Sequence, residues 1–148
     1  MRPWACQQLL VAIFDRLDAK DFAGFAALFE ADGVWERPGA TMTGRAEIAA
    51  ALARRSPTLA TRHLMSNFLV LGEREHELDA AASLTTYSSD TGLAPARPVV
   101  VEGPVGVFRA EATMRCEEGG VSIRRLTLRP EFKIVVASGQ APFKVSRG

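Results

Sequence analysis

Cysteine is scarce in this chain: Cys6 and Cys116 are the two among 148 residues. With no CxxC or Cys/His spacing, they form neither a disulfide framework nor a zinc site, and a reduced cytoplasmic setting is predicted. Long apolar runs are missing too. Leu9 to Phe14 follows Arg2 but is only six residues long and stops at Asp15, too short for the apolar region of a secretory signal. Nothing approaches the ~20 apolar residues that span a bilayer, so no membrane partner is predicted. Neither sign of charge dominates, with 18 basic and 17 acidic residues for a net +1. No basic stripe interleaves with aromatics, which argues against nucleic acid as a partner. Arg54-Arg55 and Arg124-Arg125 read as isolated, solvated pairs. Metal clusters, phosphate loops and nucleophile elbows are absent as motifs. Gly103-Pro104-Val105-Gly106 lacks the strand-turn-helix context of a dinucleotide fingerprint, and no metal or cofactor is predicted.

What is present is an ordinary globular composition, 47% apolar and 24% charged, of a size for one domain over residues 1–148. Trp4 to Leu17 carries Cys6, Leu10, Ile13, Phe14 and Leu17 at helical spacing, with Asp18 at the helix end. Asp21 is a natural N-cap for a second helix, Phe22 to Glu30. Asp32-Gly33 turns into a short strand, Val34 to Glu36, and Thr43 caps a third helix, Arg45 to Arg54. Four strands follow: Arg62 to Leu71, His76 to Ser88, Val99 to about Cys116 with a bend at its glycines, and Val121 to about Val136. The tail from about Ser138 reads as loosely ordered. Helices followed by antiparallel strands make an α+β layout, with helices on one face of a strongly curved sheet and a pocket between them.

Within the first long strand, period-two alternation puts His63, Met65, Asn67 and Leu69 on one face and Leu64, Ser66, Phe68 and Val70 on the other. An imidazole and a carboxamide among apolar neighbours is how a mostly apolar pocket is lined. The plain alternative is a core histidine satisfied by a backbone carbonyl. Trp35, Phe14, Met65 and Tyr87 are candidate pocket walls, or simply core. His76, between Glu75 and Glu77, reads as exposed.

Four segments in this order resemble the SnoaL-like branch of the nuclear transport factor 2 superfamily: Leu17 to Gly39, Thr43 to Leu52, Thr61 to Val70, and the Gly119-Gly120-Val121-Ser122-Ile123 strand entry. The superfamily includes polyketide cyclases, scytalone and bile-acid dehydratases, ketosteroid isomerases and the small subunits of ring-hydroxylating dioxygenases. The resemblance implies a cone of helices and curved sheet around an apolar cavity, dimeric through the sheet. It also implies an aspartate at the end of the first helix and a histidine on the strand after the third, positions held here by Asp18 and His63. The phenol that dehydratases carry on the first helix is replaced by Ile13.

An Asp-His pair suits proton transfer near neutrality, since the carboxylate fixes the imidazole tautomer and raises its basicity. His63 and Asp18 are therefore the predicted catalytic pair, with Asn67 as an oxyanion donor and Phe14, Trp35, Met65 and Tyr87 as binding residues. The nearer alternatives are a helix-end Asp18 bonding local amides and a satisfied, buried Asn67. The reading is a lyase, isomerase or cyclase on a hydrophobic ring-bearing carbonyl compound, or else a non-catalytic binding or assembly subunit. Leu64, Phe68 and Val70 on the face opposite His63 predict a homodimer through the sheet.

Overall fold

The apolar positions at helical spacing in the first helix find one side of a sheet, while Trp4 and Val11 stay exposed. In the computed structural model, which describes residues 2–135, α1 (Arg2–Asp18) buries Cys6, Leu9, Leu10, Ile13, Phe14 and Leu17. The rest of the chain follows as α2 (Phe22–Ala27), β1 (Phe29–Arg37), β2 (Ala40–Thr43), α3 (Gly44–Ala53), β3 (Ala60–Glu73), β4 (Glu77–Ser89), β5 (Gly106–Glu117) and β6 (Gly120–Lys133). The strands form one mixed sheet in the order β2-β1-β6-β5-β4-β3. β1 runs parallel to β6, and the other neighbours are antiparallel. This is the predicted α+β architecture. The predicted tail from Ser138 lies outside the described residues.

The core lies between the helices and one face of the sheet. Phe25, Phe29 and Trp35 form its aromatic centre, with ring centroids 5.7 and 5.0 Å from Phe25. Burying each such side chain contributes about 2–3 kcal/mol. Leu78, Ala80, Leu84, Ala110, Ala112, Met114, Ile123 and Leu126 supply the sheet side. The small alanines of β4 leave room for α1 to pass close over that strand.

Several predicted elements are corrected. The second helix stops at Ala27, and Phe29 and Glu30 belong to β1, which pairs with β6 from Phe29 onward. β2, a four-residue hairpin partner of β1, went unpredicted because Pro38-Gly39 read as a strand end rather than a turn. Residues 99–105 are irregular, so the third long strand begins at Gly106. A Cβ at Gly106 would meet the Phe132 carbonyl oxygen at 2.7 Å, so only glycine allows that approach. Asp21 caps α2 as predicted, its Oδ1 accepting from the Gly24 N–H at 2.9 Å. Thr43 makes no side-chain cap; the Glu47 carboxylate instead accepts from the Thr43 N–H at 2.8 Å.

The consequential correction lies in β3. Asn67 has φ +53, and the β3–β4 register shifts between Ser66 and Leu69. This bulge inserts one residue and reverses the alternation beyond it. Phe68 and Val70 therefore turn inward with His63 and Met65 and pack on the core. Leu64, Leu69 and Leu71 face outward, 51%, 56% and 50% exposed.

Candidate functional site

The site begins with how α1 ends. The Asp21 N–H donates to the Arg16 carbonyl and the Lys20 N–H to the Leu17 carbonyl, with Lys20 left-handed at φ +60. These are the two bonds of a Schellman stop. The stop leaves Asp18 as the last helical residue, facing the start of β3. Both carboxylate oxygens are engaged there. Oδ1 accepts from Thr61 Oγ1 at 2.8 Å and lies 2.6 Å from His63 Nδ1, while Oδ2 accepts from the His63 backbone N–H at 2.8 Å. The backbone amide that Asp18 binds thus belongs to a distant strand, not to its own helix end.

The Asp18 and His63 side chains are 4% and 8% exposed. Burial pushes the Asp18 carboxyl toward protonation, but the bonds from the His63 ring and backbone, its charge and Thr61 together hold it below the usual aspartate value. An ionised Asp18 places the ring proton on Nδ1, leaving Nε2 free to accept. Nε2 has no hydrogen-bond partner among the described residues. Phe14 stacks on the imidazole with centroids 5.4 Å apart and planes 28° from parallel.

Beside this pair opens a cavity of about 410 Å³ at the end of β3 and β4, roofed by part of the irregular 90–105 segment. Asp18 and Thr61 line it from the helix side, Tyr87 and Arg62 from the other sheet face, and Pro95, Pro98, Val99 and Val101 from the segment above. His63 sits two residues beyond Thr61 on the same strand face and is not part of the cavity wall.

The predicted site residues separate accordingly. His63, Asp18 and Phe14 come together. Tyr87 lines the cavity, yet it pairs with Arg62 and so points to the sheet face opposite His63. Met65 packs against the core two residues from His63. Trp35 is buried against Phe25, with Arg37 over its ring at 5.4 Å, and has no place in the cavity. Asn67 is exposed at the bulge and does not share the His63 face, so the predicted oxyanion role is corrected. Thr61 escaped prediction, although its i−2 spacing from His63 signals a shared face. Lys20, Arg62, Arg97 and the 95–101 wall also escaped, because nothing in a loop's composition says where it folds back. His76 is exposed, as predicted.

Elsewhere, the Cys6 and Cys116 sulfurs lie 3.6 Å apart as buried free thiols. Among the described residues, no three His, Cys, Asp or Glu side chains converge as a metal-binding set. Among them, too, no helix is long and apolar enough to cross a membrane.

Solved structures share this fold at low identity. A provisionally assigned scytalone dehydratase from Novosphingobium aromaticivorans matches with TM-score 0.72 and 20% identity over 97% of this chain and 93% of its own. ActVI-ORFA from Streptomyces coelicolor matches with TM-score 0.70 and 20% identity, covering 86% of this chain and 95% of its own. A provisionally assigned aromatic ring hydroxylase, also from Novosphingobium aromaticivorans, gives TM-score 0.70 and 20% identity over 88% and 92%. Among proteins of curated function, none matches the chain. The SnoaL-like domain profile matches residues 3–127, from α1 into β6, and the chain belongs to that family.

Proposed function

We propose that this chain is a cofactor-independent acid/base enzyme, a lyase, isomerase or cyclase acting on a hydrophobic, ring-bearing carbonyl compound. The observation that carries the reading is the buried Asp18–His63 pair at the edge of a cavity. Asp18 holds the tautomer through Nδ1, and Nε2 takes a proton from the carbon α to the carbonyl. The electron pair moves into the carbonyl as an enolate. The imidazolium then returns the proton to another carbon, or gives it to a β-hydroxyl that leaves as water. The first outcome needs only proton transfers; in the second the enolate electron pair forms the C=C bond as the β C–O bond breaks, and the imidazolium proton leaves with the hydroxyl as water. The family membership supports such chemistry, as does the name of one fold neighbour, a scytalone dehydratase assignment, whereas the aromatic ring hydroxylase assignment of another fits the second reading.

A second reading, a non-catalytic ligand-binding or assembly subunit resembling those of ring-hydroxylating dioxygenases, is favoured by two observations. The imidazole lies under Phe14, outside the cavity wall, and buried Ile13 stands where the dehydratase resemblance calls for a phenol.

A screen of apolar ketones and β-hydroxy carbonyl compounds against wild type and His63→Ala separates the two. Turnover that falls by about 10²–10⁴ in the variant supports catalysis by His63. Recovery of the chain in a stable complex with a large oxygenase subunit, with no turnover, supports assembly.

A further inference from the structure

The cavity wall is unbalanced in charge. Lys20, Arg62 and Arg97 line it, against a single acid, Asp18, whose oxygens are already taken by His63 and Thr61. Arg62 and Arg97 have no carboxylate partner and no side-chain hydrogen bond among the described residues. The Lys20 ammonium donates to the Pro57 carbonyl, a neutral group. Asp90 lies near Lys20 but turns to Thr58 Oγ1 at 2.5 Å and the Gly92 N–H at 3.4 Å. Arg55, in a small recess that shares Lys20 and Thr61 with the cavity, adds a further guanidinium. Burial first, and then the nearby Arg37 charge, disfavour its protonated form, while Asp18 favours it. The middle of the sheet's outer face is different. On the sheet's outer face, Arg109, Arg125 and Arg129 all meet Glu36 or Glu111.

The same lining carries the apolar side chains of Pro95, Pro98, Val99 and Val101, next to Arg97 in the chain, and the Tyr87 ring, which pairs with Arg62 across the β3–β4 ladder. A ligand suited to both surfaces has an apolar ring body and one anionic end.

We infer that the cavity takes a ring-bearing organic acid, its carboxylate held by Arg62 and Arg97 with Lys20 alongside, and its ring laid against the proline and valine wall. This deepens the proposed function and rests on the cavity being its substrate site. These cations also steer an anion toward the cavity before contact.

The test uses two probes of one shape and different charge, 2-naphthoate and neutral 2-naphthamide. Their binding is measured by calorimetry to wild type, Arg62→Gln, Arg97→Gln and the double variant. Both arginines are exposed, and thermal melts check that each variant is folded. Wild type is expected to prefer naphthoate by about tenfold at low salt, with the preference shrinking at about 0.3 M salt. Each single variant should lose about fivefold in naphthoate affinity and leave naphthamide unchanged, and the double variant should bind both alike. Equal affinities in wild type, a preference that survives the double variant, or binding of neither probe overturns the inference. His63→Gln should keep the preference, so failure of the proposed catalysis and failure of acid recognition are separate results.

Discussion

At Asp18, a carboxylate on the last residue of a helix accepts three hydrogen bonds from the far side of the fold. Its pKa is lowered on folding even though burial works the other way. The unfolded chain therefore binds the proton first on acidification. The stability Asp18 contributes is complete above the unfolded pKa and is lost as pH falls through the lower folded one. Asp18→Asn should cost about 1–3 kcal/mol at neutral pH, and the gap between wild type and variant should close below the ordinary aspartate range. Denaturant titrations at a series of pH values check this, and a gap that widens on acidification counts against it. Cys6 poses the opposite case. Burial, then its contact with Cys116, pushes the Cys6 thiol up to about 12. Folded protein at neutral pH should therefore resist iodoacetamide at Cys6 until denatured, as peptide mass mapping can show. Alkylation of Cys6 at the rate of a free thiol would contradict that.

Among the elements, β3 decides what the sheet presents on each side. The Asn67 bulge makes Phe68 a core residue and Leu69 a surface one, the reverse of strict alternation. Phe68→Ala should destabilise by about 2–3 kcal/mol, somewhat below a full core truncation because Phe68 is only partly buried. Leu69→Ala should stay within about 0.5 kcal/mol. Equal effects in urea titrations would refute the reversed register. The same element shows how far the amino-acid pattern can be read. Helical spacing in α1 identifies its buried face, and the i, i+2 rhythm correctly pairs His63 with Met65. The partnership of Asp18 with His63 came from family resemblance, because contacts across 45 residues leave no local spacing. The bulge is invisible to alternation, since one left-handed asparagine shifts every side chain after it. The cavity roof was equally hidden, because Val99 to Val101 are β-branched and read as strand while the chain there runs irregularly.

On the scale of the whole molecule, the outer sheet face is not uniformly apolar. Its middle carries paired charges, Glu36 with Arg125 and Glu111 with Arg109 and Arg129. Leu64, Leu69 and Leu71 gather at the β3 edge. We propose that this edge is covered by a second copy in an isologous dimer of about 1,600 Å² total interface. Leu69→Lys, rather than a change at Phe68, should then shift light-scattering mass to that of the monomer, and a wild type already monomeric at micromolar concentration would refute the dimer. Catalysis by His63 is tested most directly by solvent-deuterium incorporation at the α-carbon of a cyclic ketone that bears a ring carboxylate, such as a carboxy-2-tetralone. Wild type should accelerate exchange well above the buffer rate, and His63→Gln should return it to that rate. Exchange no faster than buffer, or acceleration that survives His63→Gln, would contradict proton abstraction by His63.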